Sequence, residues 1–490
     1  MTLTTQTTDR RKLLTTGLAA GLLAASGLAL GSAPRVGGRL RAALPGAGAS
    51  DSWDARQGFG LFMQAAGQGA VFDCLTEVAA DGSLRGELAT SWEASRDARK
   101  WVFDLRRGVR FHNGAALTAG SVVESIHLHL QAGAKGAAWP VVSNIDSVRA
   151  LGPHQVQFTL HLGNADFPYL LSDRHLIIYP EGQVSEAMRD GIGTGLYRAA
   201  RFEPGQRFVG WRVGEHYKDG SAGWFDQVEF LAAKDAADRL ALLTSGGVEA
   251  LGQLDPAHAA VVQQTAGLRL TATPGNQHVA LDLPTDGAFA DLRVRQAVQA
   301  AVDRNAVLFD AAEGYGQPGF DSPVGPFNQY FGWAEPGHDP DRAAHLLRQA
   351  GHAPGSVGLG LGELSGLPVN LISALWPALL AAGFARAERP NATLRLSSGR
   401  VTEDWALSAL PSAQADLNPL RAEAMASFDP GHKADLYSEI QSRLRSSAST
   451  VIPVFTNFLQ ATTTRLTHPA ALGNLWPLDN ARLAERWWLA

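Results

Sequence analysis

Trp101, Phe103 and Leu105 share one side of an alternation whose other side holds Val102 and Asp104, the period-2 pattern of a half-buried strand. Arg107-Gly108 interrupts the run, Val109 and Phe111 resume an apolar face, and Asn113-Gly114 is a strong turn signal. Thr118 then stands as an N-cap before Val122, Val123, Ile126 and Leu130, apolar positions at helical spacing. The stretch reads strand, turn, strand, turn, helix. Val148 and Ala150, the Gly152-Pro153 turn, and Val156, Phe158 and Leu160 predict a hairpin beside it.

The same reading continues down the chain. Phe202–Val213 predicts a hairpin turning at Pro204-Gly205. Asp235–Ser245 is an amphipathic helix, with Ala237, Leu240 and Leu243 aligned, stopped by Gly246-Gly247 and followed by a strand at Val248–Leu251. Asp291 opens a capped helix with Val294, Ala297, Val298 and Ala301 on one face; a helix at Leu371–Leu380 and a strand at Leu394–Leu396 follow. The class is α/β, with mixed α+β content.

Composition narrows the function more by exclusion than by assertion. The 490 residues are 45% hydrophobic, enough for two or three packed units. The net charge of −5 offers no basic surface for nucleic acid. Cys74 is the single cysteine, which rules out an intramolecular disulfide and a cysteine-rich metal site. His127 and His129 would project about 200° apart on a helix and cannot chelate one metal from one face. There is no H-E-x-x-H, G-x-S-x-G or P-loop, and Gly191-Ile192-Gly193-Thr194-Gly195 lacks the spacing of a dinucleotide loop.

Residues 1–33 read as a targeting segment. Thr8–Leu14 holds Arg10-Arg11 in a context that resembles the twin-arginine export motif, and Leu18–Leu30 is shorter than the ~20 apolar residues of a spanning helix. No cysteine follows the apolar run, so a lipid anchor is not expected, and the mature chain is expected to be soluble and periplasmic.

Gly86, Leu88, Ala89, Ser91, Trp92, Trp101, Phe103, Leu105, Arg106, Gly108, Val109, Phe111, His112, Gly114, Leu117, Thr118, Ala119, Val122 and Ser125 together form a signature. It resembles that of the family 5 extracellular solute-binding proteins, the dipeptide, oligopeptide and nickel receptors of ABC importers. Asp291–Arg304, Leu436–Gln441 and Val451–Asn457 extend the resemblance, which covers about Val36 to Ala490 and is weakest from Pro354 to Pro430.

The resemblance implies a two-lobed periplasmic-binding-protein fold with a hinge and an extra subdomain. Lobe I is expected at 36–73, 181–282 and 463–490, the subdomain at 74–180 and lobe II at 283–462. The chain is expected to cross near Leu281–Leu283 and to return near Asn457–Thr463. It further implies a binding protein and not an enzyme, a peptide-like small-molecule ligand, ABC importer permease subunits as partners with ATPase subunits behind them, no cofactor, and a monomer. Opines, sugars and metal chelates are alternative ligands, and an exported hydrolase is the rival class.

The ligand-binding residues implied are Trp53, Asp54, Arg400, Glu403, Asp404 and Trp405. Trp53 reads equally as a cleft aromatic or a buried anchor. Where the peptide receptors carry an aspartate for the ligand's ammonium group, this chain has Gly399-Arg400. A guanidinium there suits a carboxylate, or else pairs internally with Glu403 or Asp404. Between Trp405 and Asp435 the chain is shorter than is typical of the family, in a stretch that helps to form the pocket.

Overall fold

The computed structural model describes residues 33–490 apart from 59, 334–336, 364–366, 399, 409 and 411–414. The expected targeting segment up to residue 32 and Gly399 therefore lie outside the described residues.

A seven-stranded sheet forms the first lobe, in the order Leu268–Thr273, Phe458–Thr463, Ala250–Leu251, Arg39–Leu44, Gln227–Ala232, Arg207–Arg212, Tyr197–Glu203. Arg39–Leu44 runs parallel to both neighbours, and its Leu40, Ala42, Ala43 and Leu44 are all buried, as expected of a strand covered on both faces. The hairpin of Tyr197–Glu203 and Arg207–Arg212 turns at Gly205, whose φ of +70° favours glycine. The helix Ala236–Thr244 buries Leu243 beneath this sheet.

The second lobe holds a five-stranded sheet, ordered Gly316–Pro318, Thr450–Thr456, His278–Asp282, Ala392–Ser397, Leu361–Glu363. Every residue of Thr450–Thr456 is buried although the strand contains Pro453. A register shift opposite Ala280 accommodates the missing amide, and the neighbouring Ile452 N–H donates to the Asp321 carboxylate at 2.8 Å. The helix Leu292–Ala301 starts at Asp291, whose carboxylate accepts from Arg293 N, and buries Val294, Ala297, Val298 and Ala301.

The subdomain is an antiparallel sheet of Ala89–Ala94, Lys100–Leu105, Gln155–Leu160 and Ile145–Gly152. The helix Ala119–Ala132 begins with a capping box between Thr118 and Ser121 and packs Val122 and Ile126 into the sheet's core. Trp101, Phe103 and Leu105 point into that core. The strand expected at Val109–Phe111 shrinks to one bridge, Arg110 to Ala116, because the Asn113-Gly114 turn folds the chain back at once.

The first crossing differs from expectation in position. Leu281 belongs to a strand already inside the second sheet, so the first crossing is at Pro274–Gln277, where Pro274-Gly275 ends the Leu268–Thr273 strand. The return falls at Asn457, and Phe458–Thr463 already lies in the first sheet, so the second lobe ends there and not at 462.

The subdomain closes onto the second lobe. Ala165 N donates to Met425 O at 2.7 Å, and Lys433 Nζ meets Asp166 Oδ2 at 2.7 Å. Val401 and Trp405, from the second lobe, complete the subdomain's own hydrophobic core.

A buried ionic network ties the subdomain, the first lobe and the chain's end together. Lys218 Nζ lies 2.8 Å from Asp73, 2.7 Å from Glu87 and 2.9 Å from Glu485. Arg482 binds Glu87 and Glu485 at 2.7 Å each, and Arg486 binds Glu77 at 2.7 Å and Asp479 at 2.8 Å. Five carboxylates thus face three cations. Burial and the neighbouring carboxylates push Glu87 up to about 7, so one proton offsets part of the excess negative charge. Replacing Lys218 by Met leaves three buried carboxylates short of a cation and is expected to lower global stability by about 3–5 kcal/mol in urea unfolding. A loss below about 1 kcal/mol would mean that the network does not anchor the fold.

Candidate functional site

The loop from Gly473 to Arg482 carries Trp476 to the boundary between the lobes. Leu478, Asp479, Asn480 and Ala481 have φ of 58°, 59°, 59° and 61°, a left-handed turn built without glycine. Such residues cost on the order of 1–2 kcal/mol each and persist only where their surroundings fix them. Here Leu478 N donates to Gln460 Oε1 at 2.9 Å, Gly473 N to Asp479 Oδ1 at 2.7 Å and Leu475 N to Asn480 Oδ1 at 2.9 Å. Asp479 is in turn held by Arg486 of the ionic network.

On the opposite wall, the first crossing fixes the segment that bears Arg400. Asn276 Nδ2 donates to Asn328 Oδ1 at 2.9 Å, and Asn328 Nδ2 donates to the carbonyl of Arg400 at 2.8 Å. Thr402 then caps the short helix Glu403–Leu407 through Trp405 N.

Between these walls lies a cavity of about 400 Å³. Gln64, Arg174, Gln253 and Trp476 line it from the first lobe and subdomain, and Arg395, Ser397, Ser398 and Arg400 from the second lobe. The Arg174 guanidinium sits 4.6 Å from the Trp476 ring centroid, and that of Arg400 sits 5.1 Å from the same ring and 5.5 Å from Trp405. Arg395 is neutralised by Asp282 at 2.6 Å. Arg174 and Arg400 have no ion-pair partner among the described residues; Arg174 donates to Gln64 Oε1 at 3.2 Å, while Arg400 Nη1 is buried without a hydrogen-bond acceptor.

Asp173, the carboxylate whose field reaches both arginines, already accepts at 2.7 Å from the His175 ring and at 2.9 Å from the His175 amide. Burial, with Arg400 adding to it against Asp173, lowers Arg174 to about 10; burial likewise lowers Arg400.

Of the residues read from sequence, Arg400 alone lines this cavity. Trp405 borders a smaller neighbouring cavity of about 20 Å³. Trp53 is 2% exposed and packs on Phe72, Phe202 and Phe208 in the first lobe's core: it is the buried anchor and not a cleft aromatic. Asp54 is engaged by Arg56 at 2.7 Å, Asp404 by Arg421 at 2.9 Å, and Glu403 accepts from Tyr330 N at 2.8 Å, so none of the three is the partner of Arg400. Arg174, Gln64 and Trp476 went unread because no local pattern marks residues that meet only across the lobes.

Among the described residues a metal reading has one structural candidate. Oxygens of Asp73, Glu87 and Glu485 lie within 4.8 Å of one another, but the Lys218 ammonium sits among them and supplies the cation that they require. His129 lies buried on the subdomain helix, apart from this cluster.

Glu403 titrates at the seam between the lobes. Burial, with Asp166 adding to it against Lys433, pushes it up to about 7. A carboxyl raised in the folded state contributes its full stability below its unfolded pKa of ~4.3 and loses it as pH rises through the folded value. Between pH 5 and 8 the wild type is therefore expected to lose roughly 2 kcal/mol or more relative to Glu403→Gln, read by urea unfolding at each pH. Parallel pH profiles for the two proteins would contradict this assignment.

Comparisons with known proteins bear on the family and the fold. The family described as "Bacterial extracellular solute-binding proteins, family 5 Middle" matches residues 83–374. Protein XP55 of Streptomyces lividans is 29% identical over 311 residues, covering 60% of this chain and 54% of the relative. The chain thus spans a little over half the length of the curated relatives it matches first.

Two solved structures share the fold over nearly their whole length. AgaA from A. tumefaciens R10, solved with agropinic acid, aligns with a TM-score of 0.80 at 21% identity, covering 92% of this chain and 99% of AgaA. DppA from Helicobacter pylori, an ABC transporter-associated periplasmic binding protein solved with the peptide STSA, aligns at 0.80 and 19%, covering 92% and 98%. The fold is that of the two-lobed periplasmic binding proteins, and the chain belongs to the family 5 bacterial extracellular solute-binding proteins.

Proposed function

We propose that this chain is the solute receptor of an ABC importer, closing its lobes over a small peptide-like solute and presenting the closed form to the permease subunits. The observation that carries the reading is the cavity itself, whose walls come from both lobes and whose basic side chains, Arg174 on one side and Arg400 on the other, approach one Trp476 ring. A ligand bound there touches both walls, so its free energy favours the closed state over the open one, as hinge closure requires. Binding and release, and not bond chemistry, are then its work, with ATP hydrolysis left to the importer's other subunits.

A second reading, an opine-type acidic solute, is favoured by the arginines of the cavity and by the agropinic acid that AgaA holds. The receptor acts in the periplasm as a monomer, exported by the twin-arginine route through Arg10-Arg11. No helix among the described residues is long and apolar enough to cross a membrane.

Native mass spectrometry of protein purified gently from the periplasm tests the reading. A small-molecule adduct that disappears on unfolding is expected. A protein that carries no adduct and responds to no peptide or opine in thermal-shift screening would refute it. In the same fractionation, changing Arg10 and Arg11 to Lys is expected to leave the protein in the cytoplasm; unchanged export would refute the route.

A further inference from the structure

We infer that the solute is a compact polyanion, bearing at least two carboxylate-type groups and no free ammonium group, gripped by Arg174 and Arg400 against the face of Trp476. The inference rests on the receptor reading and narrows it. A peptide-like solute fits this cavity only if its amine is blocked or replaced and it carries acidic groups.

Charge on the cavity wall carries the argument. Both guanidinium carbons approach one indole ring, which holds the two charges within about 10 Å of each other. Like charges brought together out of water are unfavourable unless an anion joins them. Among the described residues Arg395 is paired with Asp282, and Asp173 accepts hydrogen bonds from the His175 ring and amide. Arg174 and Arg400 have no ion-pair partner among the described residues, and Arg400 Nη1 is a buried donor without an acceptor. The unmet requirement is for acceptor oxygens that bear negative charge, at two places on facing walls.

The lining also lacks what a zwitterion needs. Among the described residues no carboxylate lines the cavity; the polar groups other than arginine are Gln64, Gln253, Ser397 and Ser398, which offer neutral hydrogen bonds. An ammonium group there would lie beside two guanidiniums with no anion of the protein to receive it. A carboxylate, by contrast, takes paired N–H bonds from a guanidinium fork. The Trp476 and Trp405 rings fix both forks by cation–π contact, so little side-chain freedom is lost on binding.

Citrate serves as the probe, with the free-terminus dipeptide Ala-Leu as its zwitterionic counterpart. Thermal unfolding of the mature protein is followed in citrate and in sodium chloride of equal ionic strength. Wild type, Arg174→Gln, Arg400→Gln, the double variant and Arg400→Lys are compared, with near-ultraviolet circular dichroism confirming the fold of each. Citrate is expected to raise the wild-type midpoint more than that of the double variant. Each Gln substitution is expected to weaken citrate roughly tenfold or more, and Arg400→Lys to weaken it less. Arg400→Gln is also expected to unfold at a higher temperature than wild type in chloride, since it removes an unpaired buried charge.

An equal citrate increment in the wild type and the double variant would overturn the inference, because the gain would then be a general salt effect. Binding of Ala-Leu that neither Gln substitution changes would also overturn it, while leaving the receptor reading in place. Failure of citrate, of Ala-Leu and of the search for a copurified adduct together would remove both.

Discussion

The turn that presents Trp476 to the interlobe cavity is referred back to the ammonium group of Lys218. It is buried among Asp73, Glu87 and Glu485, which come from the edge of the subdomain and from the last turn of the chain. Without it the carboxylates would repel, and the tail could not pack against the subdomain. With it, Arg482 and Arg486 complete a network that also fixes Asp479, and Asp479 fixes the left-handed turn that presents Trp476. A charge cluster that resembles a metal site is therefore an anchor, and the functional surface is a loop held at its far end.

Closure is a balance that the structure lets one weigh. Asp166–Lys433, the Ala165–Met425 hydrogen bond and the insertion of Trp405 into the subdomain core favour the closed arrangement. The approach of Arg174 and Arg400 to one ring opposes it. Cation–π contacts contribute about 0.5–2 kcal/mol each and offset part of that repulsion. An anion placed between the guanidiniums turns the opposing term into a favourable one, so the same residues that resist empty closure reward filled closure.

Much of the fold was legible because it is written in local periodicity. The alternation of Trp101, Phe103 and Leu105 marks a strand, and Asp291 ahead of Val294, Ala297, Val298 and Ala301 marks a capped helix; both stand where their spacing places them. Leu281 misled, since an apolar strand of the second sheet looks the same in sequence as the chain approaching it. The true crossing carries only Pro274-Gly275 as its mark. Trp53 was open in the sequence between a cleft aromatic and a buried anchor, and a side chain of that size fills the nearest core between Phe72, Phe202 and Phe208. Arg400, singled out in the sequence through the resemblance of Gly399-Arg400 to a stretch of the family's peptide receptors, does line the cavity. Arg174 and Trp476 lie far apart in sequence and meet Arg400 only through the packing of three segments, which no pattern along the chain encodes.

The central claim is that both lobes grip an anionic solute between Arg174 and Arg400. A crystal structure of the protein purified with its native solute tests it most directly. The account predicts density inside the interlobe cavity, with acidic oxygens of the solute within hydrogen-bond distance of both guanidiniums and Trp476 beneath it. A solute seated within one lobe, or one that places an ammonium group beside Arg400, would contradict it.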